Sequence, residues 1–180
     1  MFTRNCRCAG AHRYLPDWTT TVWRRVHAAT YMQIPEVFVA RFHALLEPYV
    51  LLLDEWDDEI PGPTIVFDDV VAPPLLAMLS TPDEHTATIT TMFVMMEEMA
   101  LHPERDVRSL LSVTLLEHIV NARPMLYEAA IWFTGPATRQ ELDRLAPRFG
   151  ITPLPSGMTV IVPPARFPCS APFDWANDPG

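Results

Sequence analysis

Lysine is absent from this 180-residue sequence, so all 13 of its Lys and Arg positions are arginine. With the abundant alanine and proline, this is typical of a GC-rich bacterial genome. Cysteine is scarce as well, with 3 residues, and Cys6 and Cys8 are too close in sequence for an ordinary disulfide. They also lack the second pair of ligands that a zinc site needs, so we expect reduced thiols.

Long hydrophobic runs are missing too. No apolar run approaches the roughly 20 residues that span a bilayer, and residues 1 to 10 contain no apolar stretch of signal-peptide length. We therefore expect a cytoplasmic protein with no membrane partner. Hydrophobic residues make up 49% of the chain, which is enough to form the core of one domain.

Basic side chains are absent from the middle of the chain. No arginine lies between Arg41 and Arg105, whereas 13 of the 22 acidic residues fall there. A surface of one sign attracts cationic partners and repels phosphate groups, so we expect a basic protein partner and no nucleic acid. The residues assigned to this partner-binding surface are Asp54, Glu55, Asp57, Asp58, Glu59, Asp68 and Asp69.

Helical periodicity dominates residues 81 to 121. The run Thr81-Pro82-Asp83-Glu84 has the composition of a capping box, which predicts the start of a helix. The following apolar residues recur at spacings of three and four, which is typical of an amphipathic helix. A second helix to about Asn121 is apolar around most of its circumference. We expect it to be central, with Leu111 and Leu115 facing the core.

Prolines divide the rest of the chain into short segments. We expect helices to begin at Pro35 and Pro48, and further helices over residues 124 to 133 and 136 to 149. Residues 64 to 67, after a Pro-Gly-Pro run, are predicted to be extended, and residues 75 to 79 a short helix. The sequence thus predicts an all-α single domain of short antiparallel helices, either a HEAT-like helical stack or an irregular bundle.

Both ends of the chain lack the helical pattern. We assign residues 1 to 33 to a poorly ordered N-terminal extension, residues 34 to 150 to the helical domain and residues 151 to 180 to a proline-rich tail. Residues 158 to 162 are the strand-like part of that tail. A translation start at Met32 is an alternative interpretation of the weak N-terminal pattern.

Few polar residues suggest chemistry. Glu117 lies among apolar helix positions, so we expect a buried structural carboxylate that is paired or hydrogen-bonded; a catalytic role beside His118 is the alternative. Glu97 and Glu98 with His118 could be metal ligands, but the Glu-x-x-His spacing of bundle sites is absent, so we expect no metal. Phosphate loops and nucleophile elbows are also absent, and we expect no cofactor and no enzymatic activity.

Several short runs in residues 35 to 149 carry a resemblance. They are Ile65-Val66-Phe67-Asp68-Asp69-Val70, Pro74-Leu75-Leu76, Phe93-Val94-Met95-Met96-Glu97-Glu98-Met99-Ala100, Val113-Thr114-Leu115-Leu116-Glu117 and Gly135-Pro136-Ala137-Thr138. In these runs the chain resembles an uncharacterised family of small bacterial helical domains. The resemblance implies an immunity-like or accessory protein without catalytic activity.

The expected function combines this resemblance with the charge pattern. We expect an immunity-type inhibitor whose acidic surface docks on a basic partner such as a toxin nuclease. The alternatives are a helical adaptor or scaffold and, more distantly, a hydrolase that uses Glu117 and His118.

Overall fold

The computed structural model describes residues 26–56 and 59–154. In this part of the chain the protein is all-α, as predicted, with seven α-helices and no strand. Short 3-10 turns precede α1 and α2 and follow α7. The helices are α1 (Ile34–Arg41), α2 (Leu46–Glu55), α3 (Pro63–Ser80), α4 (Thr86–Ala100), α5 (105–122), α6 (Pro124–Ile131) and α7 (Pro136–Leu145).

Helices α3 and α5 form the centre of the domain. Helix α3 contacts α1, α2, α4, α5 and α6, and α5 contacts α3, α4, α6 and α7. Leu111 and Leu115 on α5 are fully buried, which confirms that this helix belongs to the core. The described helices therefore form an irregular bundle around a central pair.

The central position of α3 corrects a prediction. Residues 64 to 67 were expected to be extended, because they are rich in β-branched residues and follow Pro61-Gly62-Pro63. In the structure Pro63 is instead the first residue of a helix that continues to Ser80, and Phe67 is fully buried. The Phe67 ring packs against Phe38 of α1 at a centroid distance of 5.0 Å. Tertiary packing outweighs the local strand preference here.

A widened turn lets α3 pass through Pro73 and Pro74. Residues Phe67–Val71 form a π-helical turn, in which the Ala72 N–H donates to the Phe67 carbonyl. A proline inside an α-helix lacks an N–H and its ring clashes with the carbonyl four residues earlier. The π turn immediately before the two prolines adds one residue to the hydrogen-bonded turn and so shifts which carbonyls face the proline rings. The helix then continues for another two turns.

The predicted capping box at Thr81 is also corrected. Thr81 and Pro82 belong to a turn in which their carbonyls accept the N–H groups of Glu84 and His85. Helix α4 begins only at Thr86. Because α3 extends to Ser80, the chain needs these residues to reverse between α3 and α4.

Helix α3 is also long and apolar enough for a membrane span by length and composition alone. Its 18 residues have a mean hydropathy of 1.3, and 44% of the helix is buried inside the domain. A buried central helix of a globular domain passes the same test, and Phe67, Val71 and Leu75 are fully buried against other helices. We therefore read α3 as the core helix of the bundle.

Residues 26 to 33, which we assigned to the N-terminal extension, pack on the bundle. Val26 and Ala29 are buried in the core. The Val26 N–H donates to a carboxylate oxygen of Glu98 on α4 at 3.2 Å, and the Tyr31 N–H donates to Glu104 at 2.9 Å. The boundary predicted at residue 34 thus falls inside packed structure. Residues 1 to 25, with Cys6 and Cys8, lie outside the described residues.

The opposite end is held by α6 and α7. The chain leaves the 3-10 turn at Gly150, whose φ of 75° lies in the left-handed region that glycine adopts without strain. The Leu154 carbonyl then accepts a hydrogen bond from Arg139 at 2.8 Å. Residues 155 to 180, including the strand-like stretch at 158 to 162, lie outside the described residues.

Removing the residues before Met32 should therefore destabilise the bundle. A chain that begins at Met32 loses the buried Val26 and Ala29 side chains and should have a free energy of unfolding about 2 kcal/mol lower. A chain that begins at Arg25 keeps them and is the control. The check is urea denaturation of both chains, and equal midpoints would show that residues 25 to 31 do not contribute to the core.

Candidate functional site

A second π-helical turn interrupts α5 at Ser112–Leu116. The Glu117 N–H donates to the Ser112 carbonyl five residues earlier, and the Thr114 hydroxyl donates to the Leu110 carbonyl at 2.6 Å. Side chains that bond back to the helix in this way accompany bends and irregular turns. The two π turns of α3 and α5 contact each other in the centre of the bundle. Such turns are frequent at functional sites, and polar residues lie beside both of them.

Asp68 and His118 meet where the two π turns pack. Asp68 lies within the π turn of α3, and His118 follows the π turn of α5. The His118 Nε2 atom lies 3.4 Å from Asp68 Oδ1, and both side chains are a little over one-third exposed. The Oδ1 atom itself is shielded from solvent and accepts no well-directed hydrogen bond from the described residues. The contact is therefore a loose, partly hydrated ion pair when His118 is protonated.

The surroundings of Asp68 raise the pKa of its carboxyl group. Burial raises the pKa of Asp68 above its ordinary value, and the nearby charges of Asp69 and Glu117 raise it further. His118 opposes this shift. Asp68 therefore has one imidazole and two further carboxyl groups close enough to change its pKa.

Glu117 does not occupy the position predicted for it. We expected a buried structural carboxylate, but the side chain is only half-buried. The π turn rotates the helix after Leu116, so that Leu115, Leu116 and Ile119 face the core while Glu117 turns toward the edge near Asp68. A partly solvated carboxylate needs no buried partner.

The acidic surface predicted from the sequence is exposed where the structure describes it. Asp54, Glu55, Glu59 and Asp69 are all exposed, and none forms an ion pair within residues 26–56 and 59–154. We call these four residues the acidic face. Asp57 and Asp58 were assigned to the same surface and lie outside the described residues.

The three residues considered as metal ligands are used separately. Glu97 Oε1 and Oε2 accept the N–H groups of Ala137 and Thr138 at 2.8 Å each, at the start of α7. Glu98 accepts a hydrogen bond from the Val26 N–H, and His118 lies next to Asp68. Within the described part of the chain no group of three or more His, Cys, Asp or Glu residues has the arrangement of a metal site.

Glu97 replaces the side chain that normally caps a helix. Gly135 is the N-cap residue of α7 and has no side chain to accept the first amides. A Cβ atom at Gly135 would lie 2.4 Å from Glu97 Cδ. The carboxylate from α4 therefore fills the space that a capping side chain would occupy, which explains the glycine at position 135.

Ser112, on α5, takes part in a second polar cluster. Its hydroxyl donates to Glu141 of α7, and Arg144 donates to both oxygens of the same carboxylate. The Arg144 and Ser112 hydrogen bonds lower the pKa of Glu141. Because the members satisfy one another, this cluster joins α5 to α7 and leaves no group free for chemistry.

Two grooves on the described surface are not lined by Asp68 or His118. One groove of about 310 Å³ is lined by residues that include Tyr31, Asp106 and Ser109, and another of about 460 Å³ runs along α6. Neither is lined by Glu117 or His118. The acid and base residues of the hydrolase alternative therefore do not border either groove.

Comparison of the chain with known protein families, with curated proteins and with solved structures finds no match. The resemblance to small bacterial helical domains stays a prediction.

The two perturbed carboxyl groups should affect stability with opposite pH dependence. Asp68 has a raised pKa in the folded state, so its stabilising contribution is present in acid and is lost as the pH rises through that value. Glu141 has a lowered pKa, so its contribution is present at neutral pH and is lost as the pH falls. Relative to wild type, Asp68→Asn should gain stability with rising pH, and Glu141→Gln should lose it.

The measurement is the denaturant midpoint of wild type and both variants between about pH 3 and pH 6, where carboxyl groups titrate. If both differences change in the same direction with pH, one of the two electrostatic assignments is wrong.

Proposed function

We propose that this protein is a non-catalytic binding domain whose acidic face docks on a basic partner protein. The supporting observation is a set of exposed carboxylates with no cation paired to them in the described residues, within a stretch of the chain that contains no arginine or lysine. Other acids of that stretch, Glu97, Glu98 and Glu104, bind backbone N–H groups and stabilise the fold. The carboxylates of the acidic face accept no such hydrogen bond from residues 26–56 and 59–154.

The position of Asp54 and Glu55 strengthens this argument. Both lie in the last turn of α2, which contains no basic residue. The C-terminal end of a helix carries a partial negative charge, so acidic residues there are unfavourable by a few tenths of a kcal/mol each. A cationic partner would remove this repulsion on binding. Residues that reduce stability in the free protein are typical of binding surfaces.

The partner that fits best is a cationic protein with a phosphate-binding cleft, such as a toxin nuclease. Carboxylates on a rigid helix end can occupy the positions of phosphate groups in such a cleft and exclude its substrate. Complementary charge also accelerates association and gives specificity. In this proposal the protein acts as an immunity-type inhibitor, and a helical adaptor that binds a basic partner without inhibiting it is the second possibility.

The double variant Asp54→Asn, Glu55→Gln tests the proposal. We expect its free energy of unfolding to rise by a few tenths of a kcal/mol, because the repulsion at the end of α2 is removed. Its association with the partner retrieved from the host should slow severalfold, and the wild-type rate should fall with added salt. The measurements are denaturant unfolding and binding kinetics at two ionic strengths.

Glu47→Gln is the matched control, since Glu47 is an exposed acid in the first turn of the same helix. The helix dipole favours an acid there, so this variant should not gain stability. Association rates that are equal in wild type and the double variant at both ionic strengths would contradict docking through the acidic face. Inhibition of the partner's activity separates the inhibitor from the adaptor.

A further inference from the structure

Helix α6 carries apolar side chains on two sides. Its core side is buried and consists of Leu126, Tyr127, Ala130 and Ile131. A second stripe consists of Met125 and Ala129 on the helix and of Trp132 and Phe133, which directly follow it. Met125 is 63% and Trp132 50% exposed. A helix at the surface of a domain normally presents polar residues opposite its core side. Met125 and Trp132 are therefore exposed apolar side chains, next to Ala129 and Phe133, which are partly buried against the core.

This stripe forms one wall of a groove. The opposite wall is the turn between α3 and α4, which contributes Pro82 and Asp83, and the space between them measures about 460 Å³. Phe133 at the base of the groove also contacts the core, with its ring centroid 6.0 Å from that of Phe93. The apolar surface is thus supported by fixed structure. We call it the α6 groove.

The charges of the groove select its occupant. Its charged lining residues are Asp83 and Glu128, both exposed, and among the described residues no cationic side chain lines it. A second copy of this chain would bring the same acids together, and an anionic membrane surface would be repelled. An apolar segment flanked by arginine or lysine would satisfy both the stripe and the two carboxylates.

We propose that the α6 groove binds a basic amphipathic helix of a partner protein. Met125 and Ala129 of α6 and Trp132, its C-cap residue, are spaced as the ridge of a helix, against which a second helix can pack. Trp132 is the anchor, because large aromatic residues at the centre of an interface contribute most of the binding energy. Met125 is flexible and adapts to the shape of the partner side chain.

The test uses two designed helical peptides with the same apolar face. One carries arginine along both edges of that face, and the other carries glutamate at the same positions. Fluorescence anisotropy should show saturable binding of the arginine peptide to the full chain, weakened by salt, and at least tenfold weaker binding of the glutamate peptide. Trp132→Ala should weaken binding of the arginine peptide by about tenfold or more.

Further variants distinguish binding in the α6 groove from nonspecific hydrophobic binding. Met125→Ala changes a side chain with little role in the fold and should also weaken binding, whereas Leu101→Ala, at a residue 70% exposed at the end of α4, should not. Asp83→Asn with Glu128→Gln should reduce the preference for the arginine peptide. Circular dichroism of each variant checks that the bundle is intact.

Several outcomes would overturn the proposal. They are no saturable binding of the arginine peptide, equal binding of both peptides, and an equal effect of Leu101→Ala and Trp132→Ala. Concentration-dependent dimerisation that Trp132→Ala abolishes would identify a second copy as the occupant instead. The α6 groove does not depend on the acidic face, so Asp54→Asn, Glu55→Gln should leave peptide binding unchanged.

Discussion

Replacing Leu115 by alanine should lower the free energy of unfolding by about 3 to 5 kcal/mol. Leu115 is fully buried in the π turn of α5, where α3 and α5 pack against each other. The variant loses the transfer free energy of the removed atoms, and the two central helices cannot close the cavity without shifting their neighbours. Leu111→Ala, one turn earlier on the same helix, should have a similar cost.

Val113→Ala is the matched control for this experiment. Val113 lies two residues before Leu115 on the same helix but is 52% exposed, so its truncation should change stability by less than about 0.5 kcal/mol. Urea denaturation of the three variants compares them directly. Similar midpoints for Leu115→Ala and Val113→Ala would mean that α5 is not at the centre of the bundle.

Gly135→Ala should cost about 3 kcal/mol, although the backbone at Gly135 is extended and accepts any residue. The added Cβ would collide with the Glu97 carboxylate, which must then move. Glu97 cannot move without releasing the N–H groups of Ala137 and Thr138, and hydrogen bonds to a charged acceptor contribute about 1.5 to 3 kcal/mol each. The start of α7 would lose its cap.

Gly62→Ala provides a close comparison, because Gly62 is also an N-cap glycine followed by proline. Apart from its two chain neighbours, no atom of the described residues lies within 4 Å of its hypothetical Cβ, so this variant shows the effect of alanine at an N-cap without the collision. Glu97→Ala should destabilise by about 2 to 3 kcal/mol. Because both changes break the same hydrogen bonds, adding Gly135→Ala to Glu97→Ala should cost less than about 1 kcal/mol more. Additive costs would show that the clash and the cap are independent.

The amphipathic patterns predicted several elements correctly. Apolar spacing identified the core stripe of α4 from Ile89 to Met99 and the buried side of α5 at Leu111 and Leu115. Proline positions identified the starts of α6 and α7. These features are local, because side chains three and four residues apart share one side of a helix.

Helix α3 shows where local rules failed. Its β-branched start and Pro73-Pro74 are evidence against a helix in isolation, yet its side chains pack against five other helices. The π turn that accommodates the prolines has no signature in the sequence that we can name. The mistaken capping box at Thr81 followed from this error, since the residues after Ser80 had to form the reversal.

The two candidate sites also differ in how much of each could be predicted from the sequence. The charge pattern predicted an acidic partner-binding surface that included Asp68, whereas the structure places Asp68 beside His118 and leaves Asp54, Glu55, Glu59 and Asp69 exposed. Docking through that surface stays a prediction. The structure adds that Asp54 and Glu55 lie at the end of α2, where the helix dipole opposes them. The α6 groove was not foreseen. Its signal was an apolar pattern with two stripes instead of one, which became informative only when one stripe was found to be buried and the other exposed.

The sequence by itself determined the helical class, the excess of acids in the middle of the chain and the buried stripes of α4 and α5, because each depends on neighbouring residues or on composition. The tertiary structure decided which carboxylates remain exposed. Glu97, Glu98 and Glu104 bind backbone N–H groups up to 73 residues away in the chain, and Asp68 meets His118 across two π turns. Such pairings depend on how helices pack, and the spacing of residues along one helix carries no information about them.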